Sequence, residues 1–125
     1  MKKPEKQIQN RQGLLHIIDA AGFSMAGLRR LWRETAFKLE VGATVLAIGA
    51  VGFSGAASAQ IFTLGCLFLM LFATEALNTA IEEIVDRISP EWSLAARNAK
   101  DLGSLAVGLV SLVVAGYIAF IFLSL

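Results

Sequence analysis

Two long stretches of the chain, Val41 to Thr74 and Leu102 to Leu125, contain no Asp, Glu, Lys, Arg or His. The first is 34 residues long, more than one ordinary bilayer crossing needs, which is about 20. Gly52-Phe53-Ser54-Gly55-Ala56-Ala57-Ser58 places turn residues at its centre, so it reads as two spans joined by a tight connection. Small residues dominate from Val41 to Val51 and allow helices to approach closely. The second charge-free stretch supplies a third span. Upstream, Leu14, Ile18, Ala21, Met25, Leu28 and Trp32 recur at alternating spacings of four and three, the apolar stripe of an amphipathic helix. Such a stripe suits the membrane surface or a partner helix, and Gly22 is a point where this helix could bend. Between the second and third spans, Ser89-Pro90 ends a helix and Glu91-Trp92-Ser93 forms a short loop. The pattern therefore predicts an all-α membrane protein. It has a flexible basic N-terminus over 1–13, an amphipathic surface helix over 14–33 and a three-span domain over 34–125, with spans near 34–52, 58–87 and 95–124.

Composition agrees with this reading. Of 125 residues, 56% are hydrophobic, and the mean hydropathy is +0.66, too apolar for an ordinary soluble domain. A net charge of +1 implies no broad attraction to nucleic acid. Cys66 is the only cysteine, so it forms no internal disulfide, and no Cys/His cluster of zinc-site spacing occurs. Lys2, Lys3 and Lys6 lead into a polar stretch, which is not the layout of a cleavable signal. Every Lys and Arg lies in the N-terminal segment or the Arg87–Lys100 connection. The positive-inside rule then predicts a cytoplasmic N-terminus and a cytoplasmic second connection.

The second span ends in polar chemistry. Glu75, Asn78, Glu82 and Asp86 are separated by three, four and four residues, which puts them in one stripe if the helix continues. Glu83 and Arg87 fit a solvated helix face. Glu75 does not, because it lies about one turn inside the apolar zone, and an ionisable group at that depth is a functional candidate by default. It stands roughly 25 Å along a helix from Ser58, against a hydrocarbon core about 30 Å thick. Glu34, Glu40, Lys100 and Asp101 are predicted at the same boundary. Mg²⁺ is commonly held by one or two carboxylates plus substrate phosphates, and Glu34 with Glu82 could supply that pair. Lys100 could neutralise phosphate charge, and Glu75 could act as general base on a hydroxyl held in the bilayer. No Gly-x-x-x-x-Gly-Lys-Ser/Thr loop and no protein-kinase signature is present. On spacing alone, phosphoryl transfer to a lipid alcohol competes with a small proton- or cation-coupled transporter.

The residues also carry a likeness. Glu75-Ala-Leu-Asn78-Thr-Ala-Ile-Glu82-Glu-Ile-Val-Asp86-Arg87, followed by Ala99-Lys100-Asp101-Leu-Gly103-Ser104, resembles the signature of the prokaryotic integral-membrane diacylglycerol kinases. Ala20-Ala21-Gly22-Phe23-Ser24, Gly27-Leu28-Arg29 and Glu34-Thr-Ala36-Phe37-Lys38-Leu39-Glu40 match upstream in the same order. The resemblance implies a homotrimer of three-span chains in the bacterial inner membrane, with active sites shared between subunits. It implies phosphorylation of diacylglycerol, or of undecaprenol in a related branch, by ATP with Mg²⁺. It makes Glu75 the catalytic base and Glu34 and Glu82 the metal ligands. His16, Phe23, Glu34, Glu82, Glu91, Trp92, Ser93, Lys100 and Asp101 would contact ATP. Arg29, Trp32, Ala36, Phe37, Lys38, Leu39, Glu40, Glu75 and Ser104 would form the lipid site, and Asn78 and Asp86 belong to the motif without an assigned role. His16 and Asp19 stand where the family has basic residues, Phe23 stands where it has tyrosine, and the Arg29–Glu34 spacing is one residue shorter.

Overall fold

A computed structural model describes residues 13–125. The segment expected to be a flexible basic N-terminus lies outside the described residues except for Gly13. Four helices follow: α1 Leu14–Leu31, α2 Thr35–Phe53, α3 Ser58–Ile88 and α4 Leu94–Leu123. The protein is all-α, and α2, α3 and α4 are each long and apolar enough to cross a membrane. Helix α1 runs unbroken through Gly22 and Gly27 and ends at Leu31, two residues short of the predicted Arg33. Its arginines Arg29 and Arg30 occupy the last turn, where cations complement the helix dipole.

The turns follow from local chemistry. Between α2 and α3, Gly55 adopts φ +85°, a left-handed conformation that a residue with Cβ rarely takes. The Gln60 side chain then reaches back to accept the Ala57 N–H at 2.9 Å, satisfying a donor left open at the start of α3. Between α3 and α4, Ser89 and Pro90 stop the helix, and the Ser93 hydroxyl accepts the Ala96 N–H at 3.1 Å to cap α4.

Helix α4 packs along α3 more extensively than any other pair, and α2 lies against both. Val51, Leu64, Phe68, Leu71, Val114 and Ile121 form the buried apolar core, with Val51, Leu64 and Ile121 fully enclosed. Most other apolar side chains of the three long helices face outward, as Leu46, Phe62, Leu69 and Leu112 do. That surface matches hydrocarbon and not water. Helix α1 meets the bundle only near its C-terminal end, where Leu31 is buried, and it leaves Leu14, Ile18 and Phe23 exposed.

Candidate active site

Helix α3 carries its polar stripe without interruption from the apolar core to the chain reversal at Ser89, so Glu75, Asn78, Glu82 and Asp86 do share a face. Glu75 is buried, with 5% of its surface exposed. The charges that act on it most directly are Glu82 and Glu34, while Glu75 in turn is the charge nearest in effect to Glu40. The start of α2 and the middle of α3 thus place their carboxylates within electrostatic reach of one another in pairs. One Glu40 oxygen, Oε2, is buried there without a hydrogen-bond partner.

The sequence at the α1–α2 junction explains how Glu34 arrives. Arg33 and Glu34 donate their N–H groups to Arg30 and Leu31, closing a tight turn. Glu34 becomes the N-cap of α2 but does not use its side chain to cap it. Its Oε1 instead accepts from Arg30 Nη1 at 2.6 Å. The same guanidinium donates through Nε to Glu83 of α3. Glu83, read from sequence as part of a solvated face, is thus also a tie between α3 and α1.

Asn78 and Gly103 set the α3–α4 contact. A Cβ on Gly103 would fall 2.2 Å from Asn78 Oδ1, so the amide keeps its present position only while residue 103 is glycine. The Asn78 Nδ2 donates to Glu82 Oε1 at 3.3 Å, and its buried Oδ1 has no partner among the described residues. The motif residue without an assigned role therefore holds one of the expected metal ligands. Farther out, Lys100 of α4 donates to Asp86 of α3, within electrostatic reach of Glu82. Asp101 pairs with Arg97 at 3.5 Å, and both are exposed.

Two open apolar grooves lie along the helices that carry the carboxylates. One, of about 490 Å³, is lined by Met25, Leu28, Arg29, Trp32, Phe37, Val41 and Phe72. It brings together three residues expected at the lipid site, Arg29, Trp32 and Phe37. Phe37 is also a packing residue, in edge contact with Trp32 at 5.9 Å and Phe72 at 5.2 Å between ring centroids. The other groove, of about 640 Å³, lies between α2, α3 and α4 and takes Leu39 and Glu40 in its wall. The five-residue run Ala36 to Glu40 is thus distributed around α2, because consecutive helical residues point about 100° apart. Ala36, Lys38 and Ser104 are exposed.

The sequence profile described as prokaryotic diacylglycerol kinase matches residues 22–123. Similar proteins include a diacylglycerol kinase of Sinorhizobium sp, 46% identical over 99 residues that cover 79% of this chain and 72% of that protein. The diacylglycerol kinase of Escherichia coli K12 is 40% identical over 108 residues, covering 85% of this chain and 87% of that protein. That of Haemophilus influenzae is 35% identical over 96 residues, covering 76% and 81%. The chain belongs to the prokaryotic diacylglycerol kinase family. It is a multi-pass membrane protein and a lipid kinase.

In this member of the diacylglycerol kinase family, the single chain gathers only part of the expected nucleotide site. Glu34 is held by Arg30, Glu82 by Asn78 and Lys100 by Asp86, which lies one turn beyond Glu82 on α3. Glu91 and Trp92 sit exposed on the α3–α4 loop, and the Ser93 hydroxyl is engaged as a cap. His16 and Phe23 are exposed on α1. His16 lies fourteen residues before Arg30, about 21 Å along the helix by its rise, so the chain does not bring it to the carboxylates. Among the described residues, no three His, Cys, Asp or Glu side chains close into a metal-binding group. A pair suffices where phosphates complete the shell, and Glu34 and Glu82 fit that requirement, each committing only Oε1 to the bonds with Arg30 and Asn78. Sequence reasoning missed the Arg30 bridge and the Gly103 contact. The i,i+4 spacing of Arg30 and Glu34 was a usable signal for the first; nothing local signalled the second.

Proposed function

We propose that this lipid kinase converts diacylglycerol to phosphatidic acid with ATP and Mg²⁺ at the cytoplasmic face of the bacterial inner membrane. The observation that carries this reading is a buried Glu75 flanked by Glu34 and Glu82 where an apolar helix turns polar. The lipid lies with its chains in the bilayer and its free hydroxyl at Glu75. That carboxylate takes the hydroxyl proton as the oxygen bonds to the γ-phosphorus. The bond between the γ-phosphorus and the β–γ bridging oxygen breaks, and ADP leaves. Glu34 and Glu82 would hold the metal, which when bound would offset negative charge on the phosphates. Lys100 adds a fixed positive charge beside them. Positioning and charge complementarity account for most of the catalysis, as is general for phosphoryl transfer. Asn78 orients Glu82, and Arg29, Trp32 and Phe37 shape the acyl groove.

The active unit is a homotrimer whose subunits share sites. The exposed apolar side chains of α1 and of the three spans leave surface for such contacts, and a neighbouring subunit would supply the nucleotide contacts that α1 does not bring to its own carboxylates. The test is purified protein in mixed micelles with radiolabelled ATP and either diacylglycerol or polyprenol. Label in phosphatidic acid is the expected result. Label only in polyprenyl phosphate would move the assignment to the undecaprenol branch, and no label in either lipid would overturn the reading.

A further inference from the structure

Arg30 belongs to none of the sequence motifs, yet one planar guanidinium joins three elements. Nη1 holds Glu34 at the head of α2, and Nε holds Glu83 on α3. Arg30 itself sits in the last turn of α1. Glu83 is the immediate neighbour of Glu82. The two carboxylates assigned to the metal are thus linked through one side chain: Glu34 directly, Glu82 through the backbone of α3. The bridge also forms part of the wall of an open groove of about 530 Å³ between α1 and α3, lined elsewhere by Ser24, Gly27, Phe72 and Thr79. The Glu34 side chain makes no capping bond to α2, so its own helix does not fix the direction of its carboxylate.

Each ion pair taken alone is ordinary. The partners are partly exposed, with 39%, 33% and 53% of the Arg30, Glu34 and Glu83 side chains open, and such pairs contribute little stability. Their joint geometry has a different use. An arginine fork binds two acceptors in a fixed plane, which a lysine cannot do. Partners of metal ligands that set their orientation commonly matter about 10–100-fold in affinity or activity.

We propose that Arg30 is a positioning residue that sets Glu34 opposite Glu82 by anchoring to Glu83, so that the pair accepts a nucleotide-bound divalent ion. This rests on the assignment of Glu34 and Glu82 as metal ligands. The charge of Arg30 by itself works against a cation. Loss of Arg30 would therefore tighten divalent-ion binding if charge dominated, and weaken it if positioning dominates.

The test is Mn²⁺ binding to the full-length protein in micelles with a non-hydrolysable ATP analogue, followed by the electron paramagnetic resonance signal of free Mn²⁺. Arg30→Gln is expected to raise the Mn²⁺ Kd about tenfold, by the scale for residues that orient metal ligands. Arg30→Lys should fall between that variant and the native protein. Glu83→Gln, which keeps an acceptor for Nε, should shift Kd less, and Arg30→Gln with Glu83→Gln should be no weaker than Arg30→Gln alone, since both act through one guanidinium. An unchanged or tighter Kd in Arg30→Gln with native helical content overturns the proposal, as does full additivity in the double variant. Glu34→Ala separates the two levels. If it binds Mn²⁺ like the native protein, the ligand assignment itself fails; if it loses Mn²⁺ while Arg30→Gln does not, only the role of Arg30 fails.

Discussion

The two ends of the helical bundle are built on opposite rules. Near the Gly55 turn and the C-terminal part of α4, the buried residues are Val51, Leu64 and Ile121, fully enclosed and without polar atoms on their side chains. Toward the α3–α4 loop, Leu31, Phe37 and Val85 are buried together with the polar Glu75, Asn78 and Thr79, and two buried oxygens, Glu40 Oε2 and Asn78 Oδ1, have no hydrogen-bond partner among the described residues. A buried polar atom left unpaired costs about 1–3 kcal/mol. At the first end burial is apolar throughout; at the second, apolar burial is combined with polar groups whose unpaired atoms subtract from stability. Sites that violate local rules of satisfaction tend to be functional, and here the violation is confined to one end.

Substitutions can pull that contrast apart. The largest effect is expected at the polar end. Glu75→Gln keeps the shape and removes the proton acceptor, so kcat for lipid phosphorylation should fall by about 10²–10⁴-fold, the range for a general base, with nucleotide binding little changed. Near-native turnover would remove the base assignment. Gly103→Ala should come next. Its new Cβ meets the Asn78 amide, displacing the group that orients Glu82, and a misplacement of about 1 Å can lower turnover about 10²-fold. Normal kinetics in that variant would show that Asn78 moves without consequence.

At the apolar end the expectation reverses. Leu64→Ala empties a fully buried site and should lower unfolding stability by about 2 kcal/mol, measured by denaturant titration in micelles, while activity per folded molecule stays native. A selective loss of activity would mean that the two ends are coupled. The smallest effect is expected at the exposed Arg97–Asp101 pair. Arg97→Ala should change stability by less than about 1 kcal/mol.

Much of this division is legible in the amino-acid sequence. The charge-free stretches locate the spans because lipid excludes unpaired charge. The spacing of Glu75, Asn78, Glu82 and Asp86 places them together because α3 continues past the apolar zone as one helix. Contacts between elements are less accessible. That Gly103 sits over Asn78 depends on the packing of α4 on α3, and that Glu83 reaches Arg30 depends on where the short α1–α2 turn delivers α1. The segment Ala36 to Glu40 looks like one binding strip in sequence, but the rotation of α2 sends Phe37 into an aromatic contact with Phe72 and Glu40 toward Glu75. His16 and Phe23 stay exposed on α1, because nothing in the α1 periodicity says which surface they would meet.

The central claim is that Glu34 and Glu82, from different helices, act on one divalent ion beside Glu75. The Mg²⁺ dependence of label transfer from ATP to diacylglycerol, compared between the native protein and Glu34→Ala and Glu82→Ala, tests it most directly. The account predicts that each variant needs a much higher Mg²⁺ concentration for half-maximal rate and that the double variant behaves as a single lost site. Mg²⁺ curves that coincide with the native one would contradict it.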